Sequence, residues 1–262
     1  MRFLGCLTFV SVILLSTVQT LHAQINEAEN SALTLVASKI DSLKPDEFVL
    51  FDYLDRRFSL NLFDRKTRKK YLMKWFSADS SGTLLYQFRS LVLHSEHRVD
   101  LRYATHPIDS VSLLALNCKK ELDQDAFIKR LKLHKEKGGY FLTHALLALQ
   151  WSSELDCVSE PDQQFQELMS DLQEANLEFA SNSSAPQDER FESVCMLYYS
   201  GFDNQRIAHF RQEVVEMQLD DGGWASSERS QVTDFHTTAF ALWILLEQHA
   251  TEQHSFPKWV VH

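Results

Sequence analysis

The stretch QLDDGGWASSERSQVTDFHTTAFALWILLEQ, Gln218 to Gln248, decides the fold class. It pairs a Gln, two glycines and a Trp on a turn with the run Phe235 to Leu246, which is apolar around nearly its whole circumference. A helix with no polar face has to be covered on most sides, so this segment reads as an interior helix. Two earlier segments share the property: YFLTHALLALQW, Tyr140 to Trp151, and FESVCMLYYSG, Phe191 to Gly201.

Between them lie helices with one apolar stripe. In QFQELMSDLQEANLEF the residues Phe165, Leu168, Leu172, Ala175 and Phe179 step by three and four. In QRIAHFRQEVVEMQ the stripe is Ile207, Phe210, Val214 and Met217. Such spacing buries one face and leaves the rest to solvent. The order is therefore inner, outer, inner, outer, inner, with glycine and proline turns at Gly138-Gly139, Ser184 to Asp188 and Gly222-Gly223. Short connections favour antiparallel neighbours. The expectation is an all-α fold of antiparallel helical hairpins in an inner and an outer layer. Further helices are expected at about Asn26 to Leu43, Pro45 to Phe58, Asp64 to Phe76, Leu84 to Leu93, Asp109 to Asn117 and Gln124 to Lys135. No stretch alternates at period two.

The N-terminus has the layout of an export signal. Arg2 precedes the apolar run Phe9 to Leu15, and Leu21-His22-Ala23 forms a small-residue exit before Gln24. Residues 1–23 are thus expected to be cleaved, giving a secreted or periplasmic chain of about 240 residues, 24–262, as a single all-α domain. No later segment approaches the roughly 20 apolar residues of a transmembrane helix. A net charge of -10 speaks against nucleic-acid binding, which rewards clustered positive charge. The one basic run, Arg65 to Lys74, reads as a solvated helix face or as a patch for an anion or lipid headgroup.

Cleavage would leave Cys118, Cys157 and Cys195. In an oxidising compartment three cysteines allow one disulfide with one free thiol, or thiolates held by a metal. His94 and His97 share a face if LHSEHRVD is helical, but the pattern is not HExxH. No GxSxG serine elbow occurs. Asn182-Ser183-Ser184 is an N-glycosylation sequon.

A repeat links the two best-defined units. Gly138-Gly139-Tyr140 precedes Thr143-His144-Ala145-Leu146, as Gly222-Gly223-Trp224 precedes His236-Thr237-Thr238-Ala239. At these residues the chain resembles the α/α-toroid superfamily of triterpene cyclases, protein prenyltransferase β subunits and lanthionine cyclases. Gln218, Asp221, Gly222, Gly223 and Trp224 are similar to the cyclases' Gln…Gly-x-Trp repeat, whose Gln caps a helix and whose Trp stacks beside it. The resemblance implies a toroid, closed or incomplete. From the prenyltransferases it implies that His236, following Asp234, is a zinc ligand. Their Asp-x-Cys is absent, as are the cyclases' Asp-x-Asp-Asp and a magnesium-binding Asp-Asp-x-x-Asp.

Candidate site residues are therefore His144, Asp221, Trp224, Asp234 and His236 as a binding rim, with His236, Cys157 and Cys195 as a zinc set. Tyr140, Trp151 and Trp243 are further candidate rim aromatics. Each has a bland account: Asp234 as an N-cap, the histidines as partly buried first-turn residues, the cysteines and aromatics as core. Three functions follow: a cavity for a small molecule, glycan or peptide; a metal-dependent or acid–base enzyme of the same fold; or a helical scaffold for another protein.

Overall fold

The computed structural model describes residues 4–76, 107–121, 123–157 and 163–249. The expected helix at 84–93 and the pair His94 and His97 lie outside them. Among the described residues the chain is all helical, with no strand. We number the helices α1 Leu4–Lys39, α2 Pro45–Phe58, α3 Arg65–Phe76, α4 Ser110–Leu116, α5 Cys118–Glu121, α6 Gln124–Lys137 and α7 Gly139–Glu154. They continue as α8 Gln163–Ala180, α9 Gln187–Tyr199, α10 Asn204–Ile207, α11 Phe210–Glu216 and α12 Phe235–Leu246. No helix among the described residues is long and apolar enough to cross a membrane.

The three segments without a polar face become α7, α9 and α12, and they bury as that pattern requires. Every residue of α12 from Thr237 to Leu246 is buried, and so is α9 from Arg190 to Tyr199. The striped segment 163–180 buries Phe165, Leu168 and Leu172 of its expected stripe, but at its end the buried face shifts by one residue, to Asn176 and Ala180, leaving Ala175 and Phe179 partly exposed. The buried helices abut in series: α4 on α7, α7 on α9, α9 on α12, and α12 on α2. Against them lie α6 on α4 and α7, α8 on α7 and α9, and α11 and α1 on α12.

Side-chain contacts fix the direction of this series. At one end Asp109, the residue before α4, meets His144 near the start of α7; Thr143 of α7 meets Glu192 of α9. At the other end Arg57 of α2 pairs with Glu247 just after α12, at 2.6 Å, and Tyr199 of α9 packs edge-on against Trp243 of α12. Neighbours whose starts meet and whose ends meet run the same way. Consequently α8 has to carry the chain back between α7 and α9.

Local chemistry sets the boundaries. Asp234 caps α12 by accepting from Thr237 N at 2.8 Å, and Asp123 caps α6 by accepting from Ala126 N at 3.1 Å. Arg65 opens α3 one residue later than expected, because Asp64 accepts from Thr67 N at 2.6 Å as its cap. The striped segment 205–217 is not one helix. It divides into α10 and α11 at Ala208-His209, where Arg211 N and Gln212 N bond back three residues, to Ala208 O and His209 O. The resulting tight turn costs the segment its continuity while keeping Ile207, Phe210 and Val214 buried.

The opening stretch folds as a clamp onto α1. Gln218 Nε2 donates to Ala28 O at 2.9 Å and to Gly222 O at 2.8 Å, closing the turn and tying it to the middle of α1. Gly222 has φ +90, and a Cβ there would meet Ser31 Oγ at 2.3 Å and the Ser31 backbone at 3.0 Å. Only glycine satisfies both the left-handed backbone and the close approach. From Ile25 onward, Ile25, Ala28, Ala32 and Val36 give α1 its own buried stripe.

Candidate functional site

The starts of α4, α7, α9 and α12 bring ionisable groups together around His144. Its Nδ1 lies 3.2 Å from Asp109 Oδ1 and 3.4 Å from Ser112 Oγ. Its Nε2 faces Glu192 Oε1 at 3.7 Å. Thr143 Oγ1 donates to the same Glu192 oxygen at 2.5 Å. From α12, His236 approaches Glu192 closely enough to act on its charge, and its ring packs edge-on against Phe240 and Tyr140, with centroids at 4.8 and 6.4 Å. The Tyr140 hydroxyl donates to Asp188, and Glu189 lies against Gly139. Gly139 has φ +54 and a Cβ there would meet Glu189 Oε2 at 2.4 Å, so the paired glycines of this turn also make room for the cluster.

Glu192 is the unusual member. Asp188 and Glu189 lie in the first turn of α9, where the helix dipole favours carboxylates. Glu192 lies beyond that turn, is 3% exposed, and points at α7 instead of back at its own helix end. Burial pushes its pKa above the usual carboxylate range, against the pull of His144, His236 and the Thr143 hydroxyl. Burial alone would lower the His144 pKa, but the hydrogen bond to Asp109 and the charges of Glu192 and Asp109 outweigh it and leave the value raised. Glu189 is raised by burial and by Asp188 and Glu192. The Tyr140 phenol is raised by burial and then by its bond to Asp188. The outcome is a gathered group of carboxyls, imidazoles and one phenol in which Glu192, Glu189, His144 and Tyr140 all hold their protons more tightly than usual.

Ser112 and Asp109 both address Nδ1 of His144. A nucleophilic triad needs the serine and the acid on opposite ring nitrogens, so these three residues do not form one.

The sequence candidates divide sharply. His144 and His236 come together near Glu192, His144 Nε2 at 3.7 Å from its Oε1 and His236 close enough to act on its charge. Asp234 lies beside them, with its Oδ1 accepting from the Thr237 N–H and hydroxyl as the helix cap. Trp224 is wholly buried; its indole N–H donates to Val214 O at 2.7 Å and its backbone N–H to Thr238 Oγ1. It is a core residue and offers no rim surface. Trp151 and Trp243 are likewise buried, Trp243 at the far end with Glu247. Asp221 holds the turn by accepting from Gly223 N and the Thr233 hydroxyl, away from the histidines.

The zinc set does not assemble. Cys157 is bonded to Cys118, with Cα atoms 5.8 Å apart, which removes its thiolate. Cys195 is buried, donates to Phe240 O at 3.3 Å, and burial pushes its thiol pKa well up, so it stays protonated. Among the described residues no group of three or more His, Cys, Asp and Glu side chains has a metal-holding arrangement.

Asp109, Asp188, Glu189 and Glu192 were not foreseen. Their one sequence signal is acidity at the start of helices otherwise destined for the interior: an Asp before SVSLLAL, and Asp-Glu and Glu in QDERFESVC. Comparisons with protein-family models, with curated proteins and with solved structures return no match.

Proposed function

We propose that the cluster around His144 and Glu192 is the ligand-binding rim of an exported, α/α-toroid-like protein. Its ligand is a small molecule, glycan or peptide that presents hydroxyl or ammonium groups. The observation that carries the reading is Glu192. A carboxyl buried to 3% exposure near two imidazoles is costly, and an apolar residue in its place is commonly neutral or stabilising. Perturbed groups held at that cost are a mark of functional sites. Carboxyls and a phenol accept from hydroxyl and ammonium donors, and the half-exposed Tyr140 and His236 supply flat faces for an apolar edge.

Three observations support the wider frame. The same-direction series of α4, α7, α9, α12 and α2, against which α6, α8, α11 and α1 pack, supports a toroid or partial-ring reading. The Cys118–Cys157 disulfide suits an oxidising, secreted or periplasmic location. Cleavage near Ala23 would keep the buried stripe Ile25, Ala28, Ala32 and Val36 of α1 in the mature chain.

The test is calorimetric titration of the purified chain with three probes: glucosamine, maltose and a lysine-containing tripeptide. Binding of any probe that is lost in Glu192→Gln and His144→Ala, while Gly138→Ala retains it and all variants keep cooperative melting, supports the reading. Binding that survives both cluster variants, or that none of the three probes shows, counts against it.

A second reading, acid–base catalysis, is favoured by one feature. Glu192 and Asp109 flank opposite nitrogens of His144, and the pKa values of His144 and Glu192 are raised, as a relay through the imidazole requires. Hydrolysis of chromogenic glycosides or esters, abolished in Glu192→Gln, is its signature.

A further inference from the structure

We infer that Asn182 is an N-glycosylation site, modified by an oligosaccharide carried on a lipid diphosphate. The inference rests on the export reading above and concerns a different surface from the rim cluster. Asn182-Ser183-Ser184 is the one Asn-x-Ser/Thr triplet in the sequence, and neither Ser183 nor Ala185 is a proline that would block it.

The structure adds access and geometry. The triplet forms the turn between α8 and α9, and Ser181, Asn182, Ser183 and Ser184 are all exposed. The turn is braced from behind: Asn182 N donates to Phe179 O at 3.1 Å and Ala185 N to Asn182 O at 3.0 Å. Buried Ala180 and Gln187 anchor it on either side, so a bulky group on Asn182 displaces no packed neighbour. Within the turn the Asn182 carbonyl oxygen accepts from Ser184 Oγ at 2.7 Å and from Ser184 N at 3.1 Å. This Asx turn occupies Oδ1 and turns Nδ2 toward solvent. Donors on Oδ1 also stabilise the charge that develops on the amide oxygen as Nδ2 gives up a proton. The second serine thereby does chemical work that Ser183 cannot do from its position.

In the transfer, Nδ2 attacks the anomeric carbon of the first sugar. The N–C bond forms, the C–O bond to the lipid diphosphate breaks, and the diphosphate leaves with the electron pair. One amide proton passes to a base of the transferase, and no oxidant or reductant takes part. The product is a bulky solvated group of the kind sequons carry in secreted chains.

Two full-length chains test the inference in a eukaryotic secretory host: one with its own residues 1–23, the other with those residues replaced by a leader of proven export. Secreted protein is compared by intact mass before and after peptide N-glycosidase. The expected result is a mass excess that the glycosidase removes while converting Asn182 to Asp. It is absent in Asn182→Gln and Ser184→Ala and kept in Ser184→Thr. Secreted protein of unmodified mass from the second chain overturns the inference whatever the first chain does. If only the second chain is secreted and it carries the glycan, the site stands and the export reading of residues 1–23 fails.

Discussion

Replacing both Cys118 and Cys157 by alanine removes the disulfide found among the described residues, and its effect can be sized from the loop it closes. The two cysteines are 39 residues apart. Closing a loop of that length lowers the entropy of the unfolded chain by an amount worth about 4 kcal/mol at 25 °C. For a chain of this size each kcal/mol moves the melting temperature by about 2–4 °C, so the double variant should melt about 8–16 °C lower. The double substitution is the right comparison because a single one leaves a lone thiol free to pair between molecules. Circular-dichroism melts of the wild type with and without reductant, beside the double variant, give the measurement. Reductant should lower the wild type to the level of the variant and leave the variant unmoved. Thiol titration supplies a check: in the chain from Gln24 onward only Cys195 should react, and only after unfolding, because it is buried. Equal melting of oxidised and reduced wild type would refute the pairing.

Gly222→Ala and Gly138→Ala separate backbone strain from packing. Both glycines have positive φ, but a Cβ at Gly138 meets nothing within 4 Å, whereas at Gly222 it meets the α1 backbone. Gly138→Ala, at φ 69 and ψ -170 where essentially only glycine sits, should cost about 1–3 kcal/mol of backbone strain, and Gly222→Ala about 1–3 kcal/mol more for the overlap with Ser31; equal losses in urea melts would deny the clamp on α1. Glu247→Ala removes the carboxylate shared by Arg57, at 2.6 Å, and the Trp243 indole, at 2.7 Å. A loss of about 3–5 kcal/mol is expected, with denaturant melts as the readout and a loss below about 1 kcal/mol as the contrary result. His144 and Glu192 both hold protons more tightly when folded. Their contributions are therefore full below the unfolded values and are lost as pH rises through the folded ones. Stability should fall with rising pH, from above 4.5 for Glu192 and above 6.5 for His144, and Glu192→Gln should flatten the profile.

The helices of the second half were legible because their chemistry is periodic. Phe235 to Leu246 has no polar face, and it folded as the fully covered helix that pattern demands. Glycine turns were legible for the same reason, since Gly138, Gly139 and Gly222 adopt backbone that side chains resist. The site was half legible. His144 and His236 stood out beside those turns, but the carboxylates that give them meaning come from α9 and from the residue before α4. Glu192 looks in the sequence like any acid near a helix start; its direction toward α7 is set by tertiary packing. Trp224 misled for a related reason. An aromatic after a glycine turn has one sequence appearance whether it faces a cleft or the core, and its N–H bond to Val214 O decides for the core. Cysteine spacing, equally, leaves pairing open until α5 and the end of α7 are brought together.

The most direct test of the cluster is an NMR pH titration of the His144 imidazole in the wild type, Glu192→Gln and Asp109→Asn. An imidazole held between Asp109 and Glu192 should titrate above 6.5 in the wild type and drop in each variant. A wild-type midpoint at or below 6.5 that neither substitution moves would mean that the carboxylates do not act on His144, and the proposed rim would lose its centre.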